Sequence, residues 1–317
     1  MKEYMEKLLL SSKGTQYDIA VMYSGGKDSS YLLYYFSEVL KLRTRAVMVD
    51  TGYESEYLLE HLSEFPEKLG IPLEIIRPGK EIFSPFFHML VAETDLFRRD
   101  GVNHVCFICN NILWATVCSF AAQNDIPFVA SGLSSAQLNS GRNYDLKIDN
   151  KANQIAEYST KYIFKDAYSK MKQSVTYNEN AVLQEYIDTI SNGFKKVTTV
   201  YPYLYLNMSV SQLKDTLLKL GWKPPKDISA EKYISSGCSI LSQVVSEMEK
   251  LGLLCLNERE QAKKMVDHNL IGAEQLAFAN YDASKDVVNL CSPLMDELKI
   301  KDYLVECCKM KKREHLI

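Results

Sequence analysis

Residues 24–29 read Ser24-Gly25-Gly26-Lys27-Asp28-Ser29, a run suited to holding a phosphate. The glycines let the backbone turn tightly and present successive amides, Ser24 and Ser29 add hydroxyl donors, and Lys27 adds a positive charge. Asp28 would repel a bare phosphate, so its presence asks for a divalent cation, Mg2+, between the two. A tight turn and helix cap that bind nothing would use the same residue types. Sulfur forms the second reactive set. Cys106-Phe-Ile-Cys109 has the spacing of a redox dithiol, half a zinc site, part of an iron–sulfur site or a pair of core thiols. Cys238, in Ser236-Gly237-Cys238-Ser239, opens a helical pattern. Cys118, Cys255 and Cys291 sit in apolar contexts and are expected to pack in the core.

These groups need a frame. Residues 18–23 form a short apolar run that ends abruptly in Ser24-Gly25-Gly26, as a buried strand does at a tight turn. Strands are predicted over 45–50, 72–77 and 126–131, and helices over 28–42, 54–69, 81–99 and 110–124, with Cys106 and Cys109 just before the last of these. Strands alternating with helices of this length imply a doubly wound, mainly parallel α/β sheet. Beyond residue 150 the strand signal fades, and helices are predicted over 181–190, 211–220, 240–251, 258–268 and 293–308, besides a lead-in helix over 1–10. The chain thus divides into a sheet-forming region, 1–150, that carries the glycine run, and a mostly helical region, 151–317, that carries Cys238.

Composition narrows the class. The 317 residues are 46% hydrophobic and 24% charged, which excludes a disordered or collagen-like chain. A formal charge of −3 gives no basic excess that would make a polyanion the main partner. Eight cysteines are too few for a disulfide scaffold in a chain of this length, and the first residues lack the basic-then-apolar order of a signal peptide, so a cytoplasmic, reduced protein is expected. No run of consecutive apolar residues approaches the roughly 20 of a membrane span.

The hexapeptide has neither the spacing of the Walker loop nor that of dinucleotide folds. It resembles the pyrophosphate loop of the PP-loop, or N-type, ATP pyrophosphatases, and the resemblance covers roughly residues 15–145. It implies that ATP binds at Ser24, Gly25, Gly26, Lys27, Asp28 and Ser29, that AMP is transferred to a carbonyl oxygen or similar acceptor, and that pyrophosphate leaves. Asp50 lies where that superfamily commonly places nucleotide-contacting residues, and Ser131-Gly132 begins its second nucleotide loop. There this chain reads Ser131-Gly-Leu-Ser-Ser-Ala-Gln137, without the histidine and aspartates common in tRNA-thiolating members, so Asp28 is the leading carboxylate for Mg2+, with Lys27 beside it in the catalytic role.

The cysteine order is similar to that of the tRNA 2-thiocytidine synthetases, in which a Cys-x-x-Cys is joined by one cysteine further on, after a proline-started segment and an amphipathic helix. Here Tyr201-Pro202 and the helix at 211–220 precede Cys238. The resemblance implies a [4Fe-4S] cluster on Cys106, Cys109 and Cys238, one iron left open for hydrosulfide. Zinc is the competing occupant and would want a fourth ligand from His104 or Cys118. The expected activity is an ATP-dependent sulfur transfer, with sulfide or the persulfide of a cysteine desulfurase as donor, a tRNA base or a small molecule as acceptor, and a homodimer as assembly. Two further readings stay open: amide formation from ammonia with structural zinc, and a nucleotide-binding module without catalysis. Glu306-Cys307-Cys308 lacks the glycine and histidine of the Glu-Cys-Gly-x-His end of phosphoadenylyl-sulfate reductases and is left aside.

Overall fold

The computed structural model describes residues 15–98, 103–133, 138, 152–194, 197–206, 208–223, 237–254 and 288–314. The lead-in helix at 1–10, the helix at 258–268 and Cys255 lie outside them. Five strands, β1 (Ile19–Met22), β2 (Thr44–Val49), β3 (Leu73–Ile76), β4 (Phe128–Ala130) and β5 (Thr198–Val200), form one sheet in the order β3-β2-β1-β4-β5. Every pairing is parallel. The chain runs outward from β1 to β3, then returns across the sheet to β4, so its direction reverses between β1 and β4. That reversal leaves a crevice at the carboxyl ends of the two strands.

Both faces of the sheet are apolar, because strands covered on both sides alternate between two cores rather than between core and water. Ile19, Val21, Ala46 and Met48 join one core, against α1 (Lys27–Tyr34). Ala20, Val47, Val49 and Val129 join the other, with side chains of α4 (Lys80–Ala92), α6 (His104–Gln123), α7 (Ala152–Met171) and α9 (Ala181–Gly193). Between α1 and α4 lie α2 (Glu56–His61) and α3 (Glu64–Lys68), and α5 (Thr94–Phe97) follows α4. The single helix expected over 54–69 is two, because Pro66 has no amide to return to the carbonyl of Leu62.

Helix α6 has the length and mean hydropathy, 1.7, of a membrane-spanning helix, yet 61% of that window is buried inside the protein. Its apolar character answers to its neighbours. It meets α9 so closely that a Cβ added to Gly193 would lie 2.3 Å from the Cα of Ser119.

The fifth strand was not legible as a strand. Thr198-Thr-Val200 is too short and too polar to show, and the helical region contributes it to the same sheet. Its outer edge is closed by α7: Asn153 Nδ2 donates to the Thr199 carbonyl at 2.9 Å, Asn153 Oδ1 accepts from the Tyr201 amide at 2.8 Å, and Glu157 Oε1 accepts from the Thr199 amide at 3.2 Å. Side chains do there, along the outer edge of β5, what a sixth strand would do. The remaining helices are α8 (Val175–Asn178), α10 (Val210–Lys219), α11 (Ser246–Lys250), α12 (Pro293–Glu297) and α13 (Lys301–Glu314). The last two divide a helix expected over 293–308, at Lys299, whose φ is 55°.

Candidate functional site

The glycine run sits at the crevice, between β1 and the first turn of α1. Gly25 has φ 72°, and a Cβ there would fall 2.7 Å from Leu58 Cδ1, so both the backbone and the space require glycine. Gly26 is the residue at which α1 begins. Among the described residues the amides of Gly25 and Gly26 have no protein acceptor, and they stand at the positive end of a helix. Ser29 Oγ accepts from the Ser24 amide at 3.2 Å and donates to the Gly26 carbonyl at 3.2 Å, which holds the turn in shape. Lys27 Nζ lies 2.6 Å from Asp28 Oδ2, with only 11% of the lysine side chain exposed. The loop after β4 closes the other side: a Cβ on Gly132 would lie 3.4 Å from the Ser29 amide nitrogen and 3.6 Å from Asp28 Cβ. The structure thus brings Ser24, Gly25, Gly26, Lys27, Asp28, Ser29 and Gly132 together. Residues 134–137 of the second loop lie outside the described residues.

The helical region supplies a wall that the motif does not contain. Tyr203 donates its hydroxyl proton to the Asp28 carbonyl at 2.8 Å, and Trp222 Nε1 donates to the Gly25 carbonyl at 3.1 Å. Burial, with the charge of Asp28 adding to it, keeps the Tyr203 phenol protonated. These bonds occupy loop carbonyls from behind. No spacing rule could have found Tyr203 or Trp222, because tertiary packing alone brings them to residues 25–28.

The thiols come from two elements. Cys106 and Cys109 do not precede α6, as expected; they lie in its first turns, where Asn103 caps the helix by accepting from the Cys106 amide at 3.1 Å. The expected start at Asn110 followed the polar pair Asn110-Asn111, which proves to be inside the helix. Three residues apart, the two thiols share one helix face. Cys238 reaches them through a backbone bridge opposite Glu54: the Ser55 amide donates to the Gly237 carbonyl at 2.7 Å and the Ser239 amide to the Tyr53 carbonyl at 2.8 Å. Burial pushes the Cys109 thiol well up, and the neighbouring Cys238, Cys106 and Glu54 charges push it further. Burial likewise raises Cys238, against the opposing pull of the Leu241 and Ile240 amides. Cys109 therefore lies within electrostatic reach of both Cys106 and Cys238.

Glu54 is the carboxyl among them, and the sequence reading missed it. Its oxygens accept from the Thr51 amide at 3.0 Å, the Thr51 hydroxyl at 2.9 Å and the Tyr53 amide at 3.2 Å. Burial and the adjacent Asp50 raise its carboxyl to about 7. Asp50, at the end of β2, accepts from the Gly52 amide at 2.9 Å and pairs with Arg77 at 3.5 Å. An acid four residues after another in a turn carries no spacing signal.

His104 and Cys118 do not complete this group. His104 Nε2 is engaged by Thr94 Oγ1 at 2.9 Å and the Leu90 carbonyl at 3.0 Å in the core. Cys118 is buried beside Thr199, nine residues further along α6 than Cys109, roughly 13 Å at 1.5 Å per residue. Cys291, expected in the core, is exposed. In kind, three thiols and a carboxylate suit a soft metal or an iron–sulfur cluster. Among the described residues no three His, Cys, Asp or Glu groups are drawn to metal-ligating spacing.

One side chain touches both sites. A Cβ on Gly25 would meet Leu58 Cδ1 at 2.7 Å and one on Gly237 would meet Leu58 Cδ2 at 3.0 Å, so the phosphate loop and the segment bearing Cys238 flank the same leucine.

A doubly wound parallel sheet with an amide-rich glycine turn at its point of reversal defines a nucleotide-binding α/β protein. Residues 18–110 match the family model for the phosphoadenosine phosphosulfate reductase domain. With the loop at 24–29, that match makes this segment a member of the PP-loop ATP pyrophosphatase superfamily. It spans the loop, Asp50, Cys106 and Cys109, and stops well short of Cys307-Cys308. No curated protein matches the chain. Among solved structures it is similar to the NMN synthetase of Francisella tularensis, at 17% identity over 90% of this chain and 93% of that one, with TM-score 0.41. It is similar to the U34-tRNA thiolase NcsA of Methanococcus maripaludis with its [4Fe-4S] cluster, at 15% identity, 92% and 82% coverage and TM-score 0.41. The NH3-dependent NAD synthetase of Campylobacter jejuni follows at 16% identity, 62% and 92% coverage and TM-score 0.33.

Proposed function

We propose that the protein is an ATP-dependent sulfurtransferase that adenylates an acceptor oxygen and replaces it with sulfur. The observation that carries this reading is the placement of the phosphate loop and the Cys238 segment on either side of Leu58, because activation and sulfur delivery must act on the same carbon. The Gly25 and Gly26 amides and Lys27 would receive the phosphates, and Asp28 would hold Mg2+, which when bound neutralises phosphate charge. The acceptor's carbonyl oxygen attacks the α-phosphorus and pyrophosphate leaves. Sulfide then attacks the activated carbon, and AMP departs with the former carbonyl oxygen. No electrons change hands when the donor is sulfide; a persulfide donor would need a reductant. Cys106, Cys109 and Cys238 would hold an iron–sulfur cluster, which when bound supplies an open iron for sulfide. Tyr203 and Trp222 keep the loop's carbonyls turned from the phosphates.

The test is anaerobic purification of the full chain with iron and acid-labile sulfide determination, then pyrophosphate release with Mg2+, ATP and either sulfide or ammonia, in the presence of bulk tRNA or of small carbonyl acceptors. Iron and sulfide in the preparation, with sulfur incorporated into one acceptor, support the reading. A zinc-containing, colourless protein that forms amides from ammonia overturns it, and ATP binding with no pyrophosphate release in any mixture overturns catalysis itself.

A further inference from the structure

Cys238 is held opposite Glu54 by a single backbone bridge that is no part of the sheet, so its position is only as firm as the turn it is bonded to. Tyr53 is the residue of that turn on which several bonds meet. Its carbonyl accepts from the Ser239 amide at 2.8 Å, next to Cys238, and its amide donates to Glu54 Oε2 at 3.2 Å. The residue is 3% exposed, and its ring meets Phe87 of α4 edge to face, with centroids 5.5 Å apart and planes at 80°.

The hydroxyl leads to the C-terminal part of the chain. It donates to Glu297 Oε1, in α12, at 3.2 Å, and the same oxygen accepts from Lys80 Nζ at 2.8 Å. Burial pushes the Tyr53 phenol up to about 12, so it remains a donor to the carboxylate. Lys80 lies over the turn as well: its ammonium is 5.0 Å from the Tyr53 ring centroid, and a Cβ on Gly52 would fall 2.8 Å from Lys80 Cγ. Lys80 and Glu297 are 53% and 40% exposed, so their ion pair adds little by itself. The bond from a buried ring to a carboxylate is charge-assisted and directional. Helix α12 is tied on both sides, by Ser292 Oγ donating to Gln243 Oε1 at 2.6 Å and by His88 Nδ1 of α4 donating to the Leu298 carbonyl at 2.9 Å. The bonds close a ring: from Tyr53 to Ser239, along the chain to Gln243, across to Ser292, and back through Glu297 to the Tyr53 hydroxyl.

We propose that Tyr53 is the positioning residue of the thiol site: anchored through its hydroxyl to Glu297, it sets where Cys238 stands against Cys106 and Cys109. The proposal rests on reading the three cysteines as one metal-binding site, and it adds the two residues outside the thiols that fix their arrangement.

The test is titration of Co2+ alone into the reduced, metal-free full chain, followed by thiolate-to-cobalt charge-transfer absorption, for wild type, Tyr53→Phe, Glu297→Ala and Glu297→Gln, with melting of each metal-free protein. Tyr53→Phe keeps the buried ring, and Glu297→Gln keeps an oxygen for the hydroxyl. Tyr53→Phe and Glu297→Ala should each weaken Co2+ binding by about five- to tenfold and lower the absorption per bound ion, because Cys238 is no longer held in place, and Glu297→Gln should recover most of both. Cobalt binding in Tyr53→Phe and Glu297→Ala equal to wild type overturns the proposal and leaves the thiol site standing. A loss in Glu297→Ala that Tyr53→Phe does not reproduce shows that the tie does not pass through Tyr53, and overturns it too. Lowered melting in both variants with no rescue by glutamine assigns the group a purely structural role and has the same consequence. Wild type without a thiolate-to-cobalt band overturns the metal-binding reading of the three cysteines and this proposal with it.

Discussion

The phosphate loop and the thiol site flank the same leucine but are assembled by different routes. Six consecutive residues make up nearly all of the loop, and its geometry is local: a glycine at φ 72°, a helix start, a serine bonded across the turn. The thiol site takes Cys106 and Cys109 from the start of α6, Cys238 from a segment far along the chain, and Glu54 from the turn after β2. Binding a phosphate needs backbone amides in one curve, which a short motif can encode. Gathering thiols needs separate elements to converge, which only the folded core can arrange.

The comparison can be broken most decisively by crossed substitutions. Asp28→Asn should reduce acceptor-dependent pyrophosphate release by about a hundredfold or more, since the carboxylate proposed to hold Mg2+ is lost, while leaving the metal content of the thiol site unchanged. Cys238→Ala should do the reverse, abolishing bound metal and sulfur transfer while MgATP affinity stays at the wild-type value. If either variant disables both functions while its melting curve is intact, the two sites are not separable.

Leu58→Ala should damage both together. Leu58 is 9% exposed and packs against Gly25 on one side and Gly237 on the other, so truncation should cost about 2–4 kcal/mol in denaturant unfolding. The same variant should weaken ATP binding and metal retention in parallel. An effect on one alone would show that the leucine does not couple them.

A smaller effect is expected at the wall behind the loop. Trp222→Phe keeps one aromatic ring but loses the rest of the indole, and with it the bond from Nε1 to the Gly25 carbonyl, which should cost about 1–2 kcal/mol of stability and loosen MgATP binding by a few-fold. Unchanged melting and affinity would mean that Gly25 needs no support from the helical region.

The smallest expected effect lies away from both sites. Burial alone would raise the Glu93 carboxyl, but bonds from Thr176, Ser174 and Val175 outweigh it and hold its ionisation below the ordinary range. Because the folded value is the lower one, this bond set stabilises the fold above the unfolded carboxylate range and is lost as pH falls through the folded value. Melting curves of wild type and Glu93→Gln should therefore differ near neutral pH and converge in acid. Curves separated by a constant interval down to the lowest pH would contradict this.

Elements with strong apolar runs were legible in the sequence. Strands β1 to β4 show because each faces two cores and is mostly apolar, and α9 and α10 show because leucines and isoleucines recur on one face. Helix α7 was not singled out because much of its buried side is Ala152, Ala156, Ser159, Thr160 and Ala167, residues too small or polar to mark a stripe. β5 was missed because its stability comes from partners: β4 on one edge, and Asn153 and Glu157 on the other.

By itself, then, the order of residues determined the phosphate loop, the strand–helix alternation that puts it at a carboxyl edge, and the identity of the thiols. These depend on interactions within a few residues or on a period that repeats along one element. Only the tertiary structure decided that Glu54 stands among the thiols, that Tyr203 and Trp222 back the loop, that His104 and Cys118 face elsewhere, and that Leu58 joins the two sites. Each of those depends on where separate elements pack against one another, and the free energy of that packing is spread over two apolar cores rather than written in any short stretch of chain.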